Sequence, residues 1–199
     1  MAKRSRLVCL IFTLAITPFV LRAQSQGQGA KAPEQFSINA NAAGDAGALA
    51  SSFVIAIDRY NTDAERDTLA TTLQQGGYPA FLPALRKSPV VGHITAGKQQ
   101  FNIRYAYAKA SATTATKDGR TIVVVTDKPV YFVGGGEANA KPREGYEVAV
   151  AQFDVDSIGL GSGTMAMAAR VKPGGPAGVQ IDDYADKPVK LTTVRRLIK

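Results

Sequence analysis

From Val90 to the end of the chain, apolar residues recur at every second position, and that period admits few folds. Residues 90–95 read as a strand. Phe101, Ile103, Tyr105 and Tyr107 then alternate with Asn102, Arg104 and Ala106, which predicts a strand with one aromatic face. Lys117-Asp118-Gly119-Arg120 is a hairpin signal, because Asp-Gly supplies the positive φ angles of a type I′ turn. It returns into residues 121–126, where Ile-Val-Val-Val marks a buried strand. Residues 129–133 continue or restart the sheet. Further strands are expected at 147–156, 164–171, 179–181 and 189–198, with Met165, Met167 and Val171 on one side. Strands at this spacing, joined by local turns, predict an antiparallel meander closed as a barrel or stacked as a two-layer sandwich.

One helical region interrupts the pattern. Phe53, Ile55 and Ile57 alternate with Val54, Ala56 and Asp58, so residues 51–58 read as a strand in the middle of a sheet. Thr62-Asp63-Ala64-Glu65 then has the form of a capping box. Asp63, Glu65 and Asp67 crowd the first turn, where the helix dipole favours anions. Leu69, Ala70 and Leu73 form an apolar stripe, and Gly76-Gly77 stops the helix. Phe81, Leu82 and Leu85 return at helical spacing after Pro79, with Pro83 ill suited to a helix interior. Two short helices in a hairpin over the sheet are therefore expected. Before them, residues 36–40 form a short first strand and residues 41–47 a loop.

The chain has 199 residues and a formal charge of +8. Lys3, Arg4 and Arg6 precede an apolar run from Leu7 to Val20, interrupted by Pro18 and followed by Arg22. That is the layout of a secretory signal with cleavage near Ala23. The run is shorter than the roughly 20 apolar residues a membrane span needs. Domain organisation is thus a signal over 1–23, a polar flexible leader over 24–35, and one β-rich domain over 36–199. The signal takes four basic residues with it, leaving a charge of about +4. Without a clustered basic face, nucleic acid is not expected as a partner. The lone cysteine, Cys9, lies within the signal, so the mature domain has no thiol for a disulfide or a thiolate metal site.

Candidate chemistry is sparse. His93 is the only histidine; a hydrolase would need it beside a nucleophile such as Ser88 and a carboxylate such as Asp58. One histidine does not make a standard zinc site. Asp154 and Asp156 resemble the start of a calcium loop but lack its later acidic ligands, and a polar turn explains them. Gly134-Gly135-Gly136 lacks the lysine and helix start of a phosphate loop. Asp63 and Asp67, four apart on one helix face, are explained by their place at a helix start. Tyr105, Tyr107 and Met165 are the candidate ligand-binding residues, as the lining of a small apolar barrel cavity. Arg195, Arg196 and Lys199 make a basic end, either a protected edge strand or a contact for an anionic envelope surface. No catalytic residue, metal or cofactor is assigned.

The segments TDAERDTLATTLQQGG, IRYAY, DGRTIVVVTDKP and KPVKLTTVRR together resemble a group of secreted, acidobacteria-like bacterial proteins without an assigned activity. The resemblance covers residues 51–196. It implies a capped helix after a first strand, a strand carrying Tyr-Ala, a turn at Thr126-Asp127-Lys128-Pro129 and a basic C-terminal strand. Members often carry tryptophans in the central strand and after that turn; this chain has none and offers Gly134–Gly136 there. The resemblance transfers no catalytic residue.

The expectation is an α+β domain, mainly an antiparallel meander, with a helical hairpin inserted after an early strand. Its location is secreted or periplasmic, with no membrane span after signal cleavage. Its function is a non-catalytic binding or structural module of the envelope or exterior. The alternatives are a lipocalin-like carrier of a small apolar ligand and a secreted hydrolase using His93.

Overall fold

A computed structural model of the chain describes residues 32–44, 47–111, 119–131, 143–175 and 177–197, with residues 42–44 and 47–50 described as backbone alone. The alternation found in the sequence resolves into strands β1 (Glu34–Gly44), β2 (Gly47–Ile57), β3 (Gly92–Ala96), β4 (Gln99–Ala110), β5 (Arg120–Thr126), β6 (Val148–Val155), β7 (Leu160–Pro173), β8 (Val179–Tyr184) and β9 (Val189–Leu197). The first six pair in chain order, each antiparallel to the next. β7 pairs with β6, β9 pairs with β7, and β9 also pairs with β1. That last pairing closes an eight-stranded antiparallel barrel. β8 extends it along the far half of β7, where Ala169 to Pro173 outrun the β9 pairing. Of the two predicted architectures, the barrel forms.

Closure requires sharp local curvature, and β7 supplies it with glycine. A Cβ at Gly161 would lie 1.7 Å from the Asp154 carbonyl oxygen, and one at Gly163 would lie 2.2 Å from that of Gln152. Only a residue without a side chain permits β6 and β7 to approach this closely. These glycines belong to β7 itself; the reversal occurs just before them, over Asp156 to Leu160.

The strands sort their apolar side chains into two clusters. Phe36, Ile38, Phe53, Ile55, Ile57, Ile94, Phe101, Ile103, Ile122, Val124, Phe153 and Met165 fill the lumen. Phe36 and Phe153 meet there edge to face, with ring centroids 5.2 Å apart. Tyr105, Tyr107, Val123, Val125, Val148 and Val150 lie outside the barrel, under Leu69, Leu73, Phe81 and Leu85 of the helix. The expected single aromatic face of β4 is therefore split. A register shift between Ile103 and Tyr105 inserts a residue against β5, and every side chain beyond it changes face. A second shift, where Val150 and Val148 of β6 pair with Ala166 and Ala169, inserts a residue into β7 and puts Ala169 and Val171 outside while Met165 and Met167 stay inside.

The helical cover is one element, α1 (Asp63–Lys87), broken at Gly77 where φ is 64°. A hairpin of two separate helices is not shown. The expected capping box is present: the Glu65 amide donates to Thr62 Oγ1 at 3.2 Å, and the Thr62 amide donates to Glu65 Oε2 at 2.9 Å. Arg59 adds a two-pronged bond to the same carboxylate, at 2.8 and 2.9 Å. Together these hold the Glu65 carboxyl at about 2, with the Arg59 hydrogen bonds the largest cause. Beyond the break, Pro79 opens the second arm, where it gives up no helical hydrogen bond. Pro83 follows shortly after and is tolerated inside it.

Two other expectations change. Of the loop expected over 41–47, residues 41–44 and 47 are instead the outer part of a β1–β2 hairpin, paired without interruption from Glu34↔Ile57 to Gly44↔Gly47. Residues 129–131 form no strand; Val130 instead turns inward and bonds through its amide to the Met167 carbonyl at 2.9 Å. The β4–β5 hairpin is present, with the Ser111 amide donating to the Gly119 carbonyl at 2.7 Å. Lys117 and Asp118 of its predicted turn lie outside the described residues, as do Gly134–Gly136.

Candidate functional site

Arg120 opens β5 in phase with Ile122 and Val124, so its side chain enters the lumen. Glu34 opens β1 in phase with Phe36 and Ile38 and enters from the opposite side. Each would be costly alone in an apolar interior. They meet at one end of the barrel. Arg120 Nη1 and Nη2 donate to Glu34 Oε2 and Oε1 at 3.0 and 2.8 Å, a forked pair with both residues under a tenth exposed. Tyr60, in the link from β2 to α1, donates its hydroxyl to Glu34 Oε2 at 2.7 Å. Arg196 of β9 brings Nη1 to 3.5 Å from Glu34 Oε1.

The electrostatics follow from that geometry. Burial alone would raise the Glu34 carboxyl, but hydrogen bonds from Arg120 and Tyr60 and the Arg120 charge outweigh it and hold the group below its ordinary value. Burial, and then the Glu34 carboxylate, push the Tyr60 hydroxyl up. Glu34 thus stays ionised and Tyr60 protonated near neutral pH. The two groups satisfy each other and Arg120, an arrangement that locks strands rather than one poised to move a proton. Beside it lies a shallow cleft of about 170 Å³ lined by Pro33, Glu34, Gln35, Asp58 and Leu197.

The residues singled out from sequence are dispersed. Met165 is fully buried in the lumen. Tyr105 and Tyr107 stand on the opposite side of the wall, beneath α1. Tyr105 donates its hydroxyl to the Ala177 carbonyl, and burial pushes that hydroxyl up. Tyr107 accepts from Arg66 Nη1 at 2.6 Å. The three therefore do not line one cavity.

His93 sits on the outer face of β3, with Nδ1 3.9 Å from Asp58 Oδ2. The carboxylate half of a triad is near, but among the described residues no hydroxyl is hydrogen-bonded to the imidazole. Ser88 Oγ donates instead to the Ala84 carbonyl at 3.1 Å, at the end of α1. Asp154 accepts from Ser111 Oγ at 3.0 Å and from Thr121, while Asp156 accepts the Ile158 and Leu160 amides at 3.0 and 2.9 Å. Asp156 thus builds a polar turn. Asp63 and Asp67 flank Arg66, at 3.6 and 2.7 Å. Among the described residues no group of three or more His, Cys, Asp or Glu side chains could hold a metal ion. None of their helices is long and apolar enough to cross a membrane.

Sequence reasoning missed the Glu34–Tyr60–Arg120 cluster because Glu34 fell within the predicted leader. The strand phase carried the signal. An arginine two residues before Ile122 and four before Val124 faces inward, and an inward arginine needs an acid partner. The basic end is also divided: Arg196 turns in toward Glu34, while Arg195 is exposed on the outer face opposite Leu160. No known family model, curated protein or solved structure matches this chain.

Proposed function

We propose that this chain is an exported, non-catalytic binding or structural module of the bacterial envelope or exterior. The observation that carries the reading is that the buried polar residues Glu34, Asn61, Arg120 and Thr126 are bonded within the scaffold. Glu34, Tyr60 and Arg120 satisfy each other inside the lumen. Asn61 pairs with β4 through Ala106, its amide donating to the Ala106 carbonyl at 2.8 Å and its Oδ1 accepting the Ala106 amide at 2.7 Å. Thr126 Oγ1 accepts the Ala149 amide at 2.9 Å. Catalysis needs groups held ready for a substrate, whereas these are committed to the scaffold. The predicted signal places the chain outside the inner membrane, and the group of secreted acidobacteria-like proteins it resembles belongs to the same reading. Arg195, exposed on the barrel's outer face, is the contact for an anionic envelope surface.

A second reading, a lipocalin-like carrier, is favoured by the closed eight-stranded barrel, a size that encloses either packed side chains or one small ligand. Of its expected lining residues, Met165 alone faces the lumen.

The protein recovered from its own secretory compartment separates the readings. N-terminal sequencing should begin near Gln24, and native mass spectrometry should give the mass of the bare chain. A chain still beginning at Met1 in the cytoplasm would overturn export. A stoichiometric small-molecule adduct would replace the module by the carrier.

A further inference from the structure

Among the described residues, Val90 and Tyr184 are exposed singly, but the other three large exposed apolar side chains gather at one end of the barrel. Ile158 is 69% exposed, Leu160 41% and Leu197 39%, and all three lie at the end where β6 turns into β7 and β9 finishes. Leu160 pairs directly with Arg195 across β7 and β9, which places an exposed guanidinium beside the apolar group. Contiguous apolar surface rimmed by charge marks an interaction site, unlike single exposed residues.

The turn that carries Ile158 is held firmly. Asp156 Oδ1 accepts the Ile158 and Leu160 amides, the Asp156 amide donates to the Leu160 carbonyl at 2.8 Å, and the Arg196 amide donates to the Gly159 carbonyl at 2.7 Å. Gly159 has φ of 84°, and a Cβ there would meet that of Arg196 at 2.5 Å, so the turn rests directly on β9. Ile158 is thus presented to solvent by a braced tip. The charges at this end are unequal in availability. Glu34 is saturated by Arg120 and Tyr60, Asp156 is spent on the turn, and Asp58 stands across the cleft beside His93. Among the described residues no carboxylate forms an ion pair with Arg195.

We propose that this end of the barrel docks on a lipid bilayer bearing anionic headgroups, with Ile158, Leu160 and Leu197 entering the interface and Arg195 pairing with a headgroup. An apolar tip flanked by a cation is the combination that interfacial binding requires. Pro33 and Leu197 line one cleft, so the predicted leader, which heads the exported chain once the signal is cleaved, joins the barrel at this face. The inference rests on the exported reading above and names its partner.

The chain has no tryptophan, so Ile158→Trp supplies a single local reporter. In the exported form, its emission should shift to the blue with vesicles rich in phosphatidylglycerol and not with pure phosphatidylcholine, and salt should reverse the shift. In co-sedimentation with the anionic vesicles, Ile158→Asp should weaken binding by about tenfold or more, and Arg195→Ala by about fivefold. Both positions are exposed, and circular dichroism melts of the two variants should match the parent. Emission unchanged with every vesicle, or Ile158→Asp binding like the parent, overturns the proposal. So does binding to a soluble acidic polysaccharide with none to vesicles. Sequencing that begins near Gln24 together with absent vesicle binding removes this inference and leaves the exported module standing.

Discussion

The barrel has two outer walls, and they differ in almost everything except the strand geometry that makes them. On one wall, β5 and β6 present Val123, Val125, Val148 and Val150 outward while Ile122, Val124, Ala149 and Ala151 face the lumen. These strands are apolar on both sides. On the other wall, β1 and β2 alternate strictly: Phe36, Ile38, Phe53 and Ile55 face in, while Ser37, Asn39, Ser52 and Val54 face out. There Ser52 Oγ donates to Asn39 Oδ1 at 2.8 Å, and Thr95 and Gln100 continue the polar surface. The helix lies on the first wall because that wall carries the run of outward valines to cover. Where alternation holds, the sheet meets water directly; where it fails, a second layer is required.

That contrast is most exposed to test in the helix. Phe81 is fully buried between α1 and the barrel, so Phe81→Ala removes the ring and leaves a cavity. The expected cost is about 3–5 kcal/mol. Ser37→Ala, on the bare wall, should stay within about 0.5 kcal/mol. Urea midpoints of the two variants measure the difference. Equal shifts would mean that the helix contributes little and that the lumen alone holds the fold.

The lumen makes its own prediction. Arg120→Met strands the Glu34 carboxylate in a buried site and should cost about 3 kcal/mol at neutral pH. Adding Glu34→Gln to that variant should recover part of the loss, because no charge is then left unpaired. The pH dependence has a definite sign. Glu34 is held below its ordinary value in the folded state, so its contribution is present above the unfolded carboxylate range and is lost as pH falls through the folded value. The gap between the parent and Arg120→Met should therefore narrow in acid. A gap that is constant down to the acid transition would show that the pair holds the strands through packing alone.

How much of this was legible follows from the range of each interaction. The capping box is local, and Thr62 and Glu65 take the expected parts, while Gly77 breaks α1 without ending it. The antiparallel order of the strands was likewise written in short turns. What escaped was the bulge after Ile103, a one-residue shift imposed by pairing with β5 that turned Tyr105 and Tyr107 out of the lumen. No period within β4 announces it, since either face of that strand accepts an aromatic ring. Barrel closure is similarly nonlocal: β1 and β9, the first and last strands among the described residues, pair because both edges remain open. Glu34 was missed for a different reason. The polar leader and the strand run into one another in composition, and only the inward arginine at 120 shows where the acid belongs.

The smallest effect separates two ways of holding the helix on its wall. If burial of Leu69, Leu73, Phe81 and Leu85 does most of it, the cap is a local refinement. Thr62→Ala should then cost about 1 kcal/mol, the value of one side-chain bond to an N-terminal amide. A loss well beyond that would mean that the covered wall depends on how its helix begins. Glu65 sharpens the distinction, since its carboxyl is held at about 2 by Arg59 and the Thr62 amide. With a depressed value, its contribution is complete above the ordinary carboxylate range and fades as pH falls toward 2. It is about a third exposed, so solvent screens the Arg59 pair and the effect is modest. Glu65→Gln should therefore melt below the parent at pH 7 and approach it at pH 3, with amide exchange rising in the first turn of α1 and unchanged at Leu85. Exchange that rises equally along the whole helix would show that the capped end, and not the buried stripe, keeps the wall closed.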